Sequence, residues 1–184
     1  EFATRLRDLG MQAKLWINLG GIYRVADQLK PAEDAYRRAI RLAQQIGIRQ
    51  SVVVGRMGLC TVALSRGQLE KAVRLARSTI REGKPLRLRD HTAQTAGNLG
   101  LALLRAGRFK QALKYFEVAK SEFVSLELPN ELGFTCQNIA ECLLELGKTD
   151  DAEASLKEAE QLCEKIGLSE KAANVRTIVR SHVS

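Results

Sequence analysis

Four copies of one short pattern recur at a spacing of forty residues, and this spacing constrains the fold of the chain more than any single residue does. They read VADQLKPA from Val25, SRGQLEKA from Ser65, RAGRFKQA from Arg105 and ELGKTDDA from Glu145, so that Ala32, Ala72, Ala112 and Ala152 fall in register without a gap. Self-similarity at such a period marks an array of small units, each burying its apolar face only against its neighbours.

Further columns share the register. Gly20, Cys60, Gly100 and Ala140 are small, as are Ala39, Thr79, Ala119 and Ala159, while Leu19, Leu59, Leu99 and Ile139 are apolar. Between these columns apolar residues step by three and four, as in Leu99, Leu103 and Leu104 or Leu113, Phe116 and Ala119. That is helical periodicity, and each unit reads as a helix, a tight turn and a second helix. Small residues at fixed points allow close helix crossings, where a larger side chain would overpack at about 1–3 kcal/mol.

The units resemble tetratricopeptide (TPR) repeats. Unit one carries the pattern most fully, in Trp16, Leu19, Gly20, Tyr23, Ala32, Tyr36 and Ala39; unit two is weaker, with Arg56, Cys60 and Ala76 in the tryptophan, glycine and aromatic columns. The usual period is about 34 residues, so these units are longer by about a turn and a half of helix. In this they resemble the extended repeats of Pins/LGN polarity adaptors, kinesin light chain and bacterial Rap-type regulators. The resemblance implies an all-α, right-handed superhelical solenoid of four TPR-like helix-turn-helix repeats. The repeats are expected at 13–48, 50–88, 90–128 and 130–167, after a tail of a preceding helix at 1–11. A capping helix is expected at 169–182, with Ser169 at its start. With no initiator methionine, the chain is expected to be a piece of a longer protein.

Composition excludes several function classes. No apolar run approaches the roughly 18 residues of a membrane span, and the first residues lack a signal-peptide core; a soluble, cytoplasmic, reducing setting is expected. Cys60, Cys136, Cys142 and Cys163 have no C-x-x-C spacing, and His91 and His182 are far apart. The cysteines therefore read as small apolar side chains, with no metal or cofactor expected. The glycines of NLGLALLRAG fall where the repeat already explains them, and Asp150 and Asp151 suit a first helical turn. No catalytic residue is expected, and the chain is read as not an enzyme.

An extended surface of stacked repeats is suited to recognition. In TPR-like repeats the first helix of each unit lines the concave groove, and in the extended repeats asparagines just before the leucine column hold the backbone of a bound peptide. Asn18, Asn98 and Asn138 occupy that column, with Gly58 in the second unit. The amides offer donors and an acceptor to an extended chain; equally, they could bond between neighbouring helices and fix the repeat geometry. Gly58 either leaves room for a ligand side chain or marks a degenerate unit. Helical spacing adds Lys14, Arg24, Gln94, Arg105, Gln137 and Glu141 to the expected groove, with Thr61, Leu101 and Glu145 nearby. The carboxylate clamp of chaperone-binding TPRs is not matched, because Ile17, Gly21 and Gly58 stand where polar side chains would be needed.

Charge is uneven. Residues 1–90 hold 18 Lys and Arg against 8 Asp and Glu, and the remainder 11 against 13. Arg37, Arg41, Arg77 and Arg81 repeat in consecutive second helices and suggest a basic outer stripe. Such a stripe is read as solvated surface, or as attracting an acidic protein, with nucleic acid and lipid disfavoured for want of free aromatics. Two functions follow as expectations. One is a scaffold that binds an extended or helical peptide segment of a protein partner in the groove, with pairing of array ends into homo-oligomers left open. The other is a ligand-sensing or autoregulatory arm of a multidomain signalling or transcription-regulating protein.

Overall fold

A computed structural model of the chain describes residues 2–165. Among the described residues there are eight α-helices and no strand: α1 (Phe2–Val25), α2 (Leu29–Gln45), α3 (Arg49–Ser65), α4 (Leu69–Gly83), α5 (Arg89–Arg105), α6 (Phe109–Ser125), α7 (Pro129–Glu145) and α8 (Thr149–Lys165). A short 3-10 turn, Lys84–Leu86, separates α4 from α5 and holds Pro85. Among the described residues the fold is all-α. Helix α1 runs unbroken from Phe2 into the first expected repeat. The expected capping helix at 169–182 lies outside the described residues, as do the side chains of Ala159 and Cys163.

One turn chemistry is used at every helix junction. Residues 27, 47, 67, 87, 107, 127 and 147, spaced by twenty, all adopt left-handed φ values between 54° and 73°. The next residue donates its backbone N–H five residues back, as in Gln28 N to Tyr23 O at 2.8 Å and Lys148 N to Leu143 O at 2.9 Å. This bonding satisfies carbonyls that a helix C-terminus otherwise leaves open. The junctions of α2, α3, α4, α6 and α7 have no side-chain cap at their starts. Helix boundaries are therefore set by the left-handed residue and by packing rather than by Ser or Asp caps.

The described residues fall into two compact units divided within α5, at Asn98 and Leu99. In the first, α2 packs on α1 and α3, α3 on α4, and the two first helices α1 and α3 also meet directly. Tyr36 of α2 fills the crossing. A Cβ on Gly20 of α1 would lie 2.8 Å from its ring, and one on Gly58 of α3 only 2.3 Å away. In the second unit α7 packs on α6 and α8, and Phe116 of α6 faces Gly100 of α5 with a 2.7 Å approach to the same hypothetical atom. Ala32, Ala72, Ala112 and Ala152 are buried in both units, as are Ala39, Thr79 and Ala119. The small columns of the sequence are thus the points where helices touch.

Second helices are also joined by charge. Glu33 of α2 is buried, yet its carboxylate accepts from Arg37 at 2.6 Å, from Lys71 of α4 at 3.2 Å and from Arg66. Burial alone would raise its pKa; the bonds from Lys71 and Arg66, with Arg37 beside them, outweigh that and hold it below the usual carboxylate range. In the second unit Lys120 of α6 donates to Glu158 of α8 at 2.5 Å. Both ties between second helices span 38 residues of sequence.

Candidate binding face on the first helices

Each first helix buries one side and offers the other to solvent. In α7, Leu132, Cys136, Ile139 and Leu143 are buried, while Phe134, Gln137, Asn138 and Glu141 share the opposite side with Glu145. The side follows from spacing, because residues four, seven, eight and eleven apart return to one helical face. In α5 the same side carries Gln94, Asn98, Leu101 and Arg105, and in α1 it carries Lys14 and Asn18. Apart from Arg24, which stands in the column of the buried Leu64 and Leu104, the expected groove residues of a given helix are thus gathered on one face.

Arg24 and Asn138 are among those engaged within the fold. The Arg24 guanidinium hydrogen-bonds the Tyr36 hydroxyl, tying that cation to a core aromatic; burial raises the phenol's pKa and Arg24 works against the rise. Asn138 donates from its amide to the carbonyl of Phe134 at 2.8 Å, a bond within its own helix rather than between helices. One amide proton is used in this way, and the side chain is held along the exposed face. Gly58 is not a space for a ligand side chain, because the Tyr36 ring occupies the position where its Cβ would stand. Beside it, Thr61 of α3 donates to the Gly58 carbonyl at 2.8 Å.

Phe134 was not among the expected groove residues, although it is 64% exposed on this face. It stands forty and one hundred and twenty residues after Gln94 and Lys14, in their column. Reading that column for apolar as well as polar side chains would have found it.

The basic positions on the second helices are exposed, but they do not act alike. Arg37 pairs with Glu33, Arg38 lies 4.4 Å over the Trp16 ring, and Arg41 lines a cleft between α1 and α2 that Trp16 and Asp34 also line. Arg77 and Arg81 face solvent on α4. The thiols of Cys60, Cys136 and Cys142 are buried. Burial pushes Cys60 up to about 12 and, with Glu141 and Glu145 nearby, Cys142 up to about 11, so both remain protonated at neutral pH. Among the described residues no group of three His, Cys, Asp or Glu side chains is placed to hold a metal ion, and no helix is long and apolar enough to cross a membrane.

Tetratricopeptide-repeat family models match residues 52–120 and, separately, residues 13–46 and 135–166. The chain belongs to the tetratricopeptide-repeat family. The matched segments correspond to the helix pairs described above, and the TPR fold recurs in solved structures of low identity. Aspartyl phosphate phosphatase F from Bacillus subtilis superposes with a TM-score of 0.84 at 17% identity, over 91% of this chain and 44% of that one. A Rap protein complexed with competence and sporulation factor gives 0.84 at 15% identity, over 92% of this chain and 47% of that one. A kinesin light chain of nearly identical TPR-like repeats from Podosopora anserina gives 0.69 at 12% identity, over 94% and 95%. The chain spans less than half the length of the first two. A comparison with curated proteins finds no match.

Proposed function

We propose that this TPR array is a non-catalytic binding module whose first helices hold an extended or helical segment of a partner protein. The observation that carries the reading is the exposed Phe134 set among Gln137, Asn138 and Glu141 on one face of α7. An apolar anchor flanked by amide donors and acceptors suits a peptide, whose main chain needs partners and whose side chains need a dry contact. Asn98 and Asn138 address main chain, Gln94 and Gln137 assist, and Lys14 and Arg105 favour acidic side chains. Two supports stand beside it. Protonated, buried thiols are poor nucleophiles, and a Rap protein of the same fold has been solved with competence and sporulation factor bound.

A neutral hydrogen bond contributes only about 0.5–1.5 kcal/mol net, so affinity must be shared over several positions. The test uses peptides selected against the purified protein from a random-sequence display library. Asn98→Ala with Asn138→Ala should weaken the selected peptides by tenfold or more, and Phe134→Ala by a similar factor, with melting temperatures nearly unchanged. A large drop in melting temperature with unchanged affinity would assign the asparagines to the scaffold instead.

A further inference from the structure

Helix α4 carries a row of exposed cations. Arg74, Arg77 and Arg81 lie on the side opposite the buried Ala72, Ala76 and Thr79, and Lys84 and Arg87 continue the row into the turn that follows. Their steps are three, four, three and three, which on a helix keep Arg74 to Lys84 on one side. Among the described residues no carboxylate pairs with any of the five. Helix α4 has two acids: Glu82, bound by Arg56 of α3, and Glu70, which shares the outer side a turn before Arg74. The row is not a stacking face, because the buried side of α4 meets α3 and its first turn is tied to α2 through Lys71 and Glu33.

The repeat does not require this charge. Forty residues on, the same columns hold Lys114, Glu117, Ser121, Val124 and Glu127. Helix α2 neutralises its own cations, pairing Lys30 with Asp34 and Arg37 with Glu33. From Arg74 onward the row instead meets its own kind at three- and four-residue spacing, where like charges repel. The helix dipole favours Arg81 and Lys84 at the C-terminal end of α4 but offers nothing to Arg74 and Arg77 at mid-helix. Four of the five are arginine, whose planar fork matches an oxyanion, whereas Lys110 and Lys114 are the exposed cations of α6. Cations that repel one another and lack acidic partners form a surface set for an anionic occupant.

We propose that the outer side of α4 docks an acidic α-helical segment of a partner protein, whose carboxylates recur at three and four residues and meet Arg74, Arg77, Arg81 and Lys84 in turn. The spacing selects the helix: the cations stand about 4.5 and 6 Å apart along α4, and a second helix laid alongside repeats those intervals. The row is one helix wide and about 15 Å long from Arg74 to Lys84. A nucleic-acid duplex or an anionic membrane would spread its contacts more widely, yet on α2 Arg37 is already bound and Asp34 stands in the column of Arg74. A single strand would need aromatic platforms, and α4 has no aromatic residue. Single exposed ion pairs are weak and screened by salt, so recognition depends on several formed together. This surface is separate from the first-helix face, and neither reading rests on the other.

The probe is a synthetic helical peptide with Glu at steps of three and four along one side, compared with an isomer of the same composition whose Glu residues are spread around the helix. Fluorescence anisotropy at low ionic strength should show the first binding at least tenfold more tightly than the isomer. Arg74→Gln with Arg77→Gln should weaken that binding tenfold or more, and Arg77→Glu with Arg81→Glu should transfer the preference to a twin peptide carrying Lys for Glu. Lys110→Gln with Lys114→Gln removes the same charge from α6 and should leave binding unchanged, which separates a site on α4 from the net charge of the chain. Peptides selected for the first-helix face should bind every variant as they bind wild type. All the substituted side chains are exposed, and melting curves check that the variants fold. Equal binding of the isomer, equal weakening by the α6 pair, or no saturable binding of the acidic peptide would overturn the proposal. Tighter retention of a short DNA duplex or of phosphatidylserine vesicles than of the acidic peptide would overturn it too, by making phosphate the ligand.

Discussion

Left-handed backbone is supplied by glycine at Gly47, Gly67, Gly107 and Gly147, but by Asp27, Arg87 and Glu127 elsewhere. A Cβ added to any of these four glycines would touch nothing within 4 Å, so the cost of replacing one is conformational alone. Gly107→Ala should therefore cost about 1–2 kcal/mol, the strain of an L-residue in that region. Arg87→Gly recovers that strain of about 1–2 kcal/mol but gives up about 0.5–1 kcal/mol to the unfolded chain's freedom, leaving a net gain of about 0–1.5 kcal/mol. Urea denaturation of the two variants checks both signs. At Gly58 the reason is different: the backbone is helical and the Tyr36 ring fills the space. Gly58→Ala should destabilise by about 1–3 kcal/mol through overpacking, and Tyr36→Ala in the same chain should remove most of that increment. The glycine in an asparagine column could not be explained from its own repeat. Its cause is an aromatic residue in the repeat before it, visible only when columns of adjacent units are compared in pairs.

Helices in this chain are matched to one another by complementary volumes. Where the second helix brings an aromatic ring, Tyr36 or Phe116, the first helix of the same repeat has Gly20 or Gly100 at the crossing; where the second helix has Ala76, the first has Cys60. The helix pairs and their small columns were legible in the sequence because this complementarity repeats at a fixed period. The ties between second helices were not, since Glu33 meets Arg66 and Lys71 at offsets that fall short of the repeat length. A search for opposite charges 38 residues apart would have found both Glu33 with Lys71 and Lys120 with Glu158. The Glu33 tie has a consequence for acid stability. Its folded pKa lies below that of the unfolded chain, so the unfolded state takes up the proton first as pH falls, and stability is lost from about pH 4.5 downward. In melting curves from pH 7 to pH 3, Glu33→Gln should be less stable than wild type at neutral pH, and the gap should close on acidification. A gap that stays constant would mean that the carboxylate's charge contributes nothing.

Across the whole chain, charge is unevenly arranged. Cations crowd the first two repeats, and α4 holds a row of them on one exposed side. The last repeat instead places Phe134 with Gln137, Asn138 and Glu141 on α7. A buried position belongs to neither surface, and Ala112→Leu should lower the melting temperature without changing any peptide preference, as titration against the selected peptides would show. The candidate site was only partly legible, because periodicity finds a face but not what other bonds its side chains already make: Arg24 is engaged by Tyr36, and Phe134 was passed over by a search for polar groups. The junctions carry a last consequence. Since the backbone reverses with the same local geometry every twenty residues, a tandem duplication of any forty-residue stretch, wherever it began, would join its neighbours through a turn the protein already makes. Loss of a single helix would instead present a second helix where a first belongs, so this chain can change its length cheaply only in whole pairs.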